Sequence, residues 1–232
     1  RAFNSAYLEI CSRSLILATF SVVACLILGL PTAYFIATRP RATRSLWVFL
    51  ITLPFWTNLL IRTYCVLLIL REEGLINNAL VWLGVIDHPI VMMYTDFSMG
   101  VGLVYSYLPF MVLPLYANLE KLDFRLIEAA HDLYAGRWQV FRWVILPHAK
   151  PCIIAGCMLV FIPSLGTFLA PDLLGGGKRL MIGNLIQLQF MSSRNWPFGA
   201  AVAVILLVTI MLVLLAYVRY AGRQGAAERQ AS

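Results

Sequence analysis

Residues 118–151 read NLEKLDFRLIEAAHDLYAGRWQVFRWVILPHAKP and form the longest charged segment of the chain. Long apolar runs stand on both sides of this segment. Its apolar side chains recur at helical spacing while its charged side chains fall on other positions, which predicts two short amphipathic helices. We call residues 118–150 the charged loop, and we expect it to lie at a membrane surface between two membrane-spanning helices.

The charged loop also predicts its own helix boundaries. A first helix is expected after Asp123, whose carboxylate can accept hydrogen bonds from the free N–H groups of a first turn. A second helix is expected over residues 137–145, and Pro147 is expected to end it at Leu146 and to turn the chain toward the membrane. The apolar faces comprise Phe124, Ile127, Ala130 and Tyr134 in the first helix and Trp138, Phe141, Val144 and Ile145 in the second, with Arg125, Glu128 and Asp132 on another face of the first.

The composition excludes an ordinary soluble domain, because 61% of the residues are hydrophobic, only 12% are charged, and the mean hydropathy is +0.81. The net charge of +7 would suit a nucleic-acid-binding protein if the chain were soluble. Here the basic residues cluster at the ends of apolar runs, so a membrane surface accounts for them and nucleic acid is not an expected partner.

Several kinds of chemistry find no support in the sequence. The cysteines have no CxxC spacing and the histidines are widely separated, so neither a metal site nor a redox site is predicted. No GxxxxGK[ST] motif is present, and residues 175–178 (GGGK) predict a turn, so the chain is not expected to bind ATP or to be an enzyme. The residues concerned are Cys11, Cys25, Cys65, Cys152, Cys157, His88, His131 and His148.

Five apolar runs are each long enough to cross a bilayer, which takes about 20 residues. They predict an all-α integral membrane protein with a single transmembrane domain over residues 1–232. Prolines inside the runs predict bent or broken helices. A further short helix is expected at the interface over residues 75–86. The five runs cover residues 14–38, 45–70, 97–119, 151–171 and 196–218, and the second is interrupted by Pro54 and Arg62.

Positive charge predicts the orientation, because cytoplasmic segments of membrane proteins carry an excess of lysine and arginine. Eleven basic residues fall in segments on one side and six on the other, so the charged loop and the C-terminus are expected in the cytoplasm and Arg1 outside. The inner set is Arg39, Arg41, Arg44, Lys121, Arg125, Arg137, Arg142, Lys150, Arg219, Arg223 and Arg229. The outer set is Arg1, Arg13, Arg71, Lys178, Arg179 and Arg194.

Arg62 is the one charge clearly inside an apolar run. A charge at the bilayer centre costs at least ~2.5–3.5 kcal/mol, so Arg62 needs a partner. Two alternatives remain open at this point. Arg62 lines a substrate path or gate, or it bonds to carbonyl groups at a helix end.

Glu128-Ala129-Ala130, followed by Val144-Ile145-Leu146-Pro147, resembles the EAA loop of permease subunits of ABC importers. In that family the loop couples the permease to a groove on a cytoplasmic ATPase. The family pattern has glycine where this chain has Tyr134, and because a left-handed backbone is costly for tyrosine, we expect the turn to move to Ala135-Gly136. The resemblance assigns ATPase coupling to Glu128, Ala129, Ala130, Asp132, Tyr134, Gly136, Leu146 and Pro147. The alternative is a generic amphipathic loop with a solvated acidic face.

Residues 53–64, 118–123, 172–186 and 195–201 are similar to the spermidine/putrescine branch of these permeases. The resemblance implies the type I permease fold of a bacterial inner-membrane protein, with a sixth membrane helix before Arg1. It implies alternating access driven by ATP and magnesium on two partner ATPases, with no cofactor in this chain. The other implied partners are a second homologous permease, a periplasmic solute-binding protein, the lipid bilayer and a polyamine.

A polyamine is an extended polycation, so its path needs carboxylates, carbonyl dipoles and aromatic faces. The candidates for such a path are Trp56, Arg62, Tyr64, Tyr105, Tyr107, Phe168 and Asp172. The aromatic residues could instead belong to the lipid-facing belt or to helix packing, and Asp172 could instead cap a turn at Leu173-Leu174.

Other functions are alternatives. The same kind of permease could carry an opine, an amino-acid derivative or a metal chelate. A secondary transporter would be expected to keep carboxylates in mid-membrane, and a membrane-embedded enzyme would need a polar catalytic cluster at a defined depth. The sequence shows neither feature.

Overall fold

The computed structural model describes residues 5–123, 125–177 and 179–231, and within these ranges the chain forms helices and no β-strand. The expectations for Arg1, Phe124 and Lys178 fall outside the described residues. The helices are α1 (Ser5–Ala37), α2 (Arg41–Trp56), α3 (Leu59–Leu70), α4 (Leu75–Trp82), α5 (Asp96–Leu119), α6 (Arg125–Asp132), α7 (Arg137–Val140), a π-helical turn (Phe141–Ile145), α8 (Leu146–Gly166), α9 (Leu169–Gly175), α10 (Ile182–Met191) and α11 (Trp196–Ala231).

Four helical stretches of the described chain are long and apolar enough to cross a membrane: Glu9–Ala37, Asp96–Leu119, Arg137–Gly166 and Trp196–Leu215. A bent pair of helices, Arg41–Trp56 and Leu59–Trp82, makes a fifth if the pair counts as one broken span. The prediction of an all-α membrane protein is therefore confirmed.

The centre of the molecule is the packing of α1, α5 and α8. Met111 of α5 is fully buried between two glycines of the neighbouring helices. A Cβ atom on Gly29 of α1 would lie 2.9 Å from Met111 Cγ, and one on Gly156 of α8 would lie 2.8 Å from Met111 Sδ. Small residues let membrane helices approach closely, so these two glycines set how tightly the three helices pack.

The second apolar run bends more sharply than the sequence predicts. The axes of the two helices differ by 97°, and the break falls at Thr57 and Asn58, whose backbones are extended. The Asn58 side chain accepts from Leu60 N (2.9 Å) and so begins α3. The run is thus two helices joined at a right angle, and Pro54 lies inside the last turn of the first.

Arg62 satisfies the carbonyl groups that this break exposes. Its guanidinium donates to the carbonyl oxygens of Pro54, Thr57 (3.2 Å) and, on α5, Ser106 (3.4 Å). The side chain is 7% exposed, and its Cζ lies 5.7 Å from the centroid of the Phe55 ring. The contacts of Arg62 are therefore those of the second alternative, in which it bonds to carbonyl groups at a helix end.

The fourth span begins earlier and ends earlier than predicted. The chain is helical from Arg137 to Gly166 without interruption, so the prediction that Pro147 ends a helix at Leu146 is wrong. Proline lacks an N–H group and crowds the preceding turn. The wider π-helical turn, in which Leu146 N donates to Phe141 O, stands directly before it and accommodates it.

The same helix ends at Gly166, and residues 169–175 form the separate helix α9. The predicted boundary at Pro171 is therefore also wrong. The turn predicted at residues 175–177 is present, with left-handed φ angles of 59° at Gly176 and 69° at Gly177. Helix α4 is four residues shorter than the predicted 75–86, and α11 continues to Ala231.

Removing Arg62 should destabilise the bend between α2 and α3. A hydrogen bond from a charged group contributes about 1.5–3 kcal/mol, and Arg62→Ala leaves its carbonyl partners without one in apolar surroundings. We expect the purified variant to unfold several degrees below the parent in a thermal-shift measurement. Arg62→Lys should recover only part of the loss, because an ammonium group lacks the planar fork of guanidinium.

The matched control is Arg41→Ala, which removes an exposed arginine at the start of α2. An Arg62→Ala protein that unfolds at the temperature of this control would show that the carbonyl contacts do not hold the bend.

Candidate functional site

The two short helices of the charged loop begin with side-chain hydrogen bonds. Asp123 Oδ1 accepts from Arg125 N (3.0 Å), which confirms Asp123 as the cap of α6. At the start of α7, Gly136 N donates to Gln139 Oε1 (2.7 Å). In each helix, a side-chain oxygen thus accepts from a backbone N–H group at the start that has no partner within the helix. The sequence itself therefore sets where the two helices begin.

The turn between α6 and α7 differs from the one predicted. Tyr134 itself has a φ of 60°, whereas Gly136 has a φ of −69°, so the turn has not moved to Ala135-Gly136. Tyr134 N donates to His131 O (2.9 Å) and Ala135 N donates to Ala130 O (3.0 Å). This pair of bonds is a Schellman motif, which takes a left-handed residue at that position. Its bonds offset the roughly 1–2 kcal/mol that the left-handed conformation costs a non-glycine residue.

One face of the charged loop packs onto the transmembrane core. Ile127 and Ala130 of α6 lie against the core cluster that includes Val140 and Ile145. A cavity of about 350 Å³ remains here, lined by Tyr34 at the end of α1 and by Ile127. The loop is thus attached to the bundle by apolar contacts in addition to its covalent links.

The opposite face of the charged loop is open. Glu128, Ala129, Asp132 and Gly136 are exposed, as are several large apolar side chains. These are Leu126 (54% exposed), Leu133 (82%), Tyr134 (97%), Trp138 (70%) and Trp143 (75%). Several large exposed apolar side chains on one segment are typical of a surface that contacts a protein or a membrane.

Two residues of the predicted apolar faces, Tyr134 and Trp138, are exposed, whereas Ile127 and Ala130 of those faces lie against the core. Leu126, Leu133 and Trp143 were not predicted as site residues at all. The signal available in the sequence was the presence of these three further large apolar residues in an otherwise charged segment. Leu146 and Pro147 lie in the first turn of α8 and are also exposed.

An ion pair brings the basic turn after α1 to the same end of the bundle as the charged loop. Arg44 Nη1 lies 3.5 Å from Glu120 Oε1, at the end of α5. At the other end of α5, Asp96 pairs with Arg179 and lies 3.9 Å from Arg13. Arg44 of the predicted inner set and Arg13 and Arg179 of the predicted outer set therefore pair at opposite ends of the same helix.

The structure does not gather the seven path candidates into one site. Trp56 is 84% exposed at the end of α2. Tyr107 donates to Pro163 O (3.3 Å) and joins α5 to α8. Tyr105 and Phe168 are each more than 40% exposed.

Tyr64 lines a cavity of about 600 Å³ together with Glu72, Glu73 and Tyr94. We call this the Tyr64 pocket. It combines two carboxylates and two aromatic rings, which suit a cation, with the guanidinium of Arg71.

Asp172 lies inside α9, three residues from its start, and its side chain is exposed. Leu173 and Leu174 continue the same helix, so the alternative that Asp172 caps a turn there is wrong. Asp172 lines a second, smaller cavity with residues of α10. We call this the Asp172 pocket.

Replacing Tyr134 should test the strain in the turn. Glycine adopts the left-handed conformation without a Cβ penalty, so we expect Tyr134→Gly to stabilise the protein by about 1 kcal/mol. Tyr134→Ala removes the same aromatic ring but keeps the penalty, which makes it the matched control. Thermal unfolding of the two purified variants is the measurement, and equal unfolding temperatures would contradict the account of the turn.

A family described as "Binding-protein-dependent transport system inner membrane component" matches residues 15–224. The chain is 48% identical over 219 residues to the spermidine/putrescine transport system permease protein PotB of Escherichia coli (strain K12), covering 94% of this chain and 80% of that protein. It is 34% identical over 236 residues to the inner membrane ABC transporter permease protein YdcU of the same organism, covering 97% of this chain and 74% of that protein.

Among solved structures, a bacterial alginate ABC transporter in complex with alginate pentasaccharide-bound periplasmic protein matches with a TM-score of 0.76 and 18% identity, covering 93% of this chain and 78% of that chain. The MetNI methionine ABC transporter, in an inward-facing conformation, matches with a TM-score of 0.64 and 19% identity, covering 95% and 99%. At such identities the likeness shows the fold, which is that of the permease subunits of type I ABC importers. The chain belongs to the family of inner-membrane permease components of binding-protein-dependent ABC importers.

Proposed function

We propose that this chain is the permease subunit of an ABC importer that moves spermidine or putrescine across the bacterial inner membrane. The observation that carries the proposal is its 48% identity to a spermidine/putrescine permease over 94% of its length. The chain performs no covalent chemistry in this proposal. ATP and magnesium are bound by partner ATPase subunits.

The open face of the charged loop is the proposed docking surface for one of two ATPase subunits. Glu128, Ala129 and Asp132 supply small and acidic positions there, and Leu133 and Tyr134 supply apolar area. Protein–protein interfaces usually contain buried aromatic anchors surrounded by a polar rim. The remaining proposed partners are a second homologous permease and a periplasmic solute-binding protein.

In the proposed orientation, the charged loop and the C-terminus lie in the cytoplasm. The excess of basic residues in the inner segments supports it, and the Arg44–Glu120 ion pair joins the basic turn to the charged loop at one end of the bundle. The opposite end, with the Tyr64 pocket and the Asp172 pocket, then faces the periplasm and the solute-binding protein.

In the proposed mechanism, closure of the ATPases on ATP moves the charged loop, and the bundle alternates between inward and outward access. The loop and the fourth span form one continuous helical stretch from Arg137 to Gly166. A hydrogen-bonded helix transmits motion along its axis, so a movement of α7 carries over to α8, and Pro151 and Pro163 are the points at which that helix bends most readily.

Substrate class is tested by uptake into vesicles that contain the complete transporter and its solute-binding protein. We expect ATP-dependent accumulation of radiolabelled spermidine or putrescine, and no accumulation when the ATPase is omitted. Uptake of an amino-acid derivative or a metal chelate with no uptake of either polyamine would replace the proposed cargo.

Reversing the charge of Glu128 should uncouple transport from ATP hydrolysis. We expect Glu128→Lys to reduce polyamine uptake by about tenfold or more. The lysine replaces a carboxylate in the docking surface with an ammonium group, which the ATPase surface either repels or leaves without a partner. The amount of permease in the membrane should stay at the parent level. Arg219→Glu, which reverses an exposed charge near the C-terminal end, is the matched control. If Glu128→Lys transports as well as this control, Glu128 does not contribute to docking.

A further inference from the structure

The Asp172 pocket is a small cavity of about 240 Å³ between α9 and α10. Its polar side chains include Asp172, Asn184 and Gln187, and its apolar side chains are Leu180, Leu188 and Met191. Pockets for whole small molecules usually have volumes of about 300–1,000 Å³. This pocket therefore fits one end of an extended molecule.

Asn184 gives this pocket an unused acceptor. The side chain is 3% exposed, and its Nδ2 donates to Phe168 O (2.9 Å). That bond fixes which amide atom is the nitrogen, since an oxygen would face another oxygen there. The remaining atom, Oδ1, is buried and has no hydrogen-bond partner among the described residues. A buried acceptor without a partner is costly, so a donor that reached Oδ1 would gain more there than at a solvated site. Less than 1 Å² of this atom is accessible, so the side chain must shift for that contact to form.

The position of Asn184 is tightly fixed. A Cβ atom on the neighbouring Gly183 would lie 2.4 Å from Thr167 O, so the first turn of α10 rests directly on the break between α8 and α9. Ile182 N donates to Ser14 Oγ of α1 (2.9 Å). These contacts fix the backbone of α10 at the wall of the pocket, and the bond from Nδ2 to Phe168 O holds the Asn184 side chain.

The charge of the pocket is negative. Asp172 is exposed, and its carboxylate has no hydrogen bond or ion pair with any described side chain. Arg179, the described cation that follows it most closely along the chain, pairs instead with Asp96. No described side chain that lines the pocket is cationic. A carboxylate and two amide oxygens together suit a ligand with several donors and a positive charge.

We propose that the Asp172 pocket binds the terminal ammonium group of the transported polyamine. An ammonium group has three donors, and Asp172, Asn184 and Gln187 supply three acceptors. The apolar side chains then cover the adjoining methylene groups, which a metal ion or a guanidinium would not require. The inference rests on the proposed function and adds to it the residues that receive the substrate.

Binding to the assembled permease–ATPase complex in nanodiscs, with the solute-binding protein left out, tests the proposal. Radiolabelled spermidine is the probe. We expect Asp172→Asn to weaken binding by about tenfold, as loss of one charge-assisted hydrogen bond would, and Asp172→Glu to retain most of it. Asp87→Asn removes an exposed acid that lines neither pocket and should stay within about twofold of the parent. Butylamine should displace spermidine, and butanol should not.

Lys178 needs its own variant because it follows Gly177, a pocket residue, directly in the sequence. Lys178→Met should leave spermidine binding at the parent level or strengthen it. If Lys178→Met weakens binding as much as Asp172→Asn does, the role of the Asp172 carboxylate is to pair with Lys178, and the proposal is wrong. Equal binding by Asp172→Asn and Asp87→Asn, or equal displacement by butanol and butylamine, would also overturn it.

If Asp172→Asn fails to assemble, Gln187→Glu decides the question. It adds a second carboxylate at a half-buried position of the same pocket, and we expect it to strengthen spermidine binding. Unchanged or weaker binding would overturn the proposal. Uptake by the parent transporter distinguishes failure of the proposed function from failure of this inference. A parent that takes up no polyamine contradicts the proposed function. A parent that transports polyamine, but whose binding of spermidine does not change on substitution of Asp172, contradicts this inference alone.

Discussion

The structure depends on how backbone carbonyl groups are satisfied where its membrane helices break. Inside a bilayer, no water is available to an exposed carbonyl, so each break needs a protein donor. At the break between α2 and α3 the donor is the guanidinium of Arg62. At the break between α8 and α9 it is the amide of Asn184, which bonds Phe168 O. Both breaks thus place a fixed polar side chain deep in an apolar bundle, and one of them leaves an acceptor unused.

The charged loop shows the complementary arrangement, in which a helix that the sequence would break is kept whole. Pro147 stands where the sequence predicts the end of the second amphipathic helix, yet the π-helical turn before it lets the chain continue from Arg137 to Gly166. Continuity matters because the exposed surface around Trp138 and the break at Thr167 belong to the two ends of the same stretch. The exposed surface and the α8–α9 break are therefore connected through backbone hydrogen bonds rather than through a flexible linker.

Much of the fold could be predicted from the sequence, because apolar runs of membrane length and the caps between them are local signals. The span over α5 and the cap at Asp123 are examples. The errors came at Pro147, Pro171 and Tyr134, where non-local packing or hydrogen bonds outweighed the local preference of one residue. The seven path candidates were chosen by residue type, and type alone does not place them together. Asn184 was missed because an amide in an apolar segment shows its unused oxygen only after the helices have packed.

The uninterrupted stretch from Arg137 to Gly166 has a mechanical consequence. Its 30 residues extend about 45 Å at 1.5 Å per residue, so a tilt of about 5° at the Arg137 end displaces the Gly166 end by about 4 Å. That displacement is larger than the 2.9 Å that separates Asn184 Nδ2 from Phe168 O. A tilt of that size is therefore large enough to change the contact between the α8–α9 junction and α10.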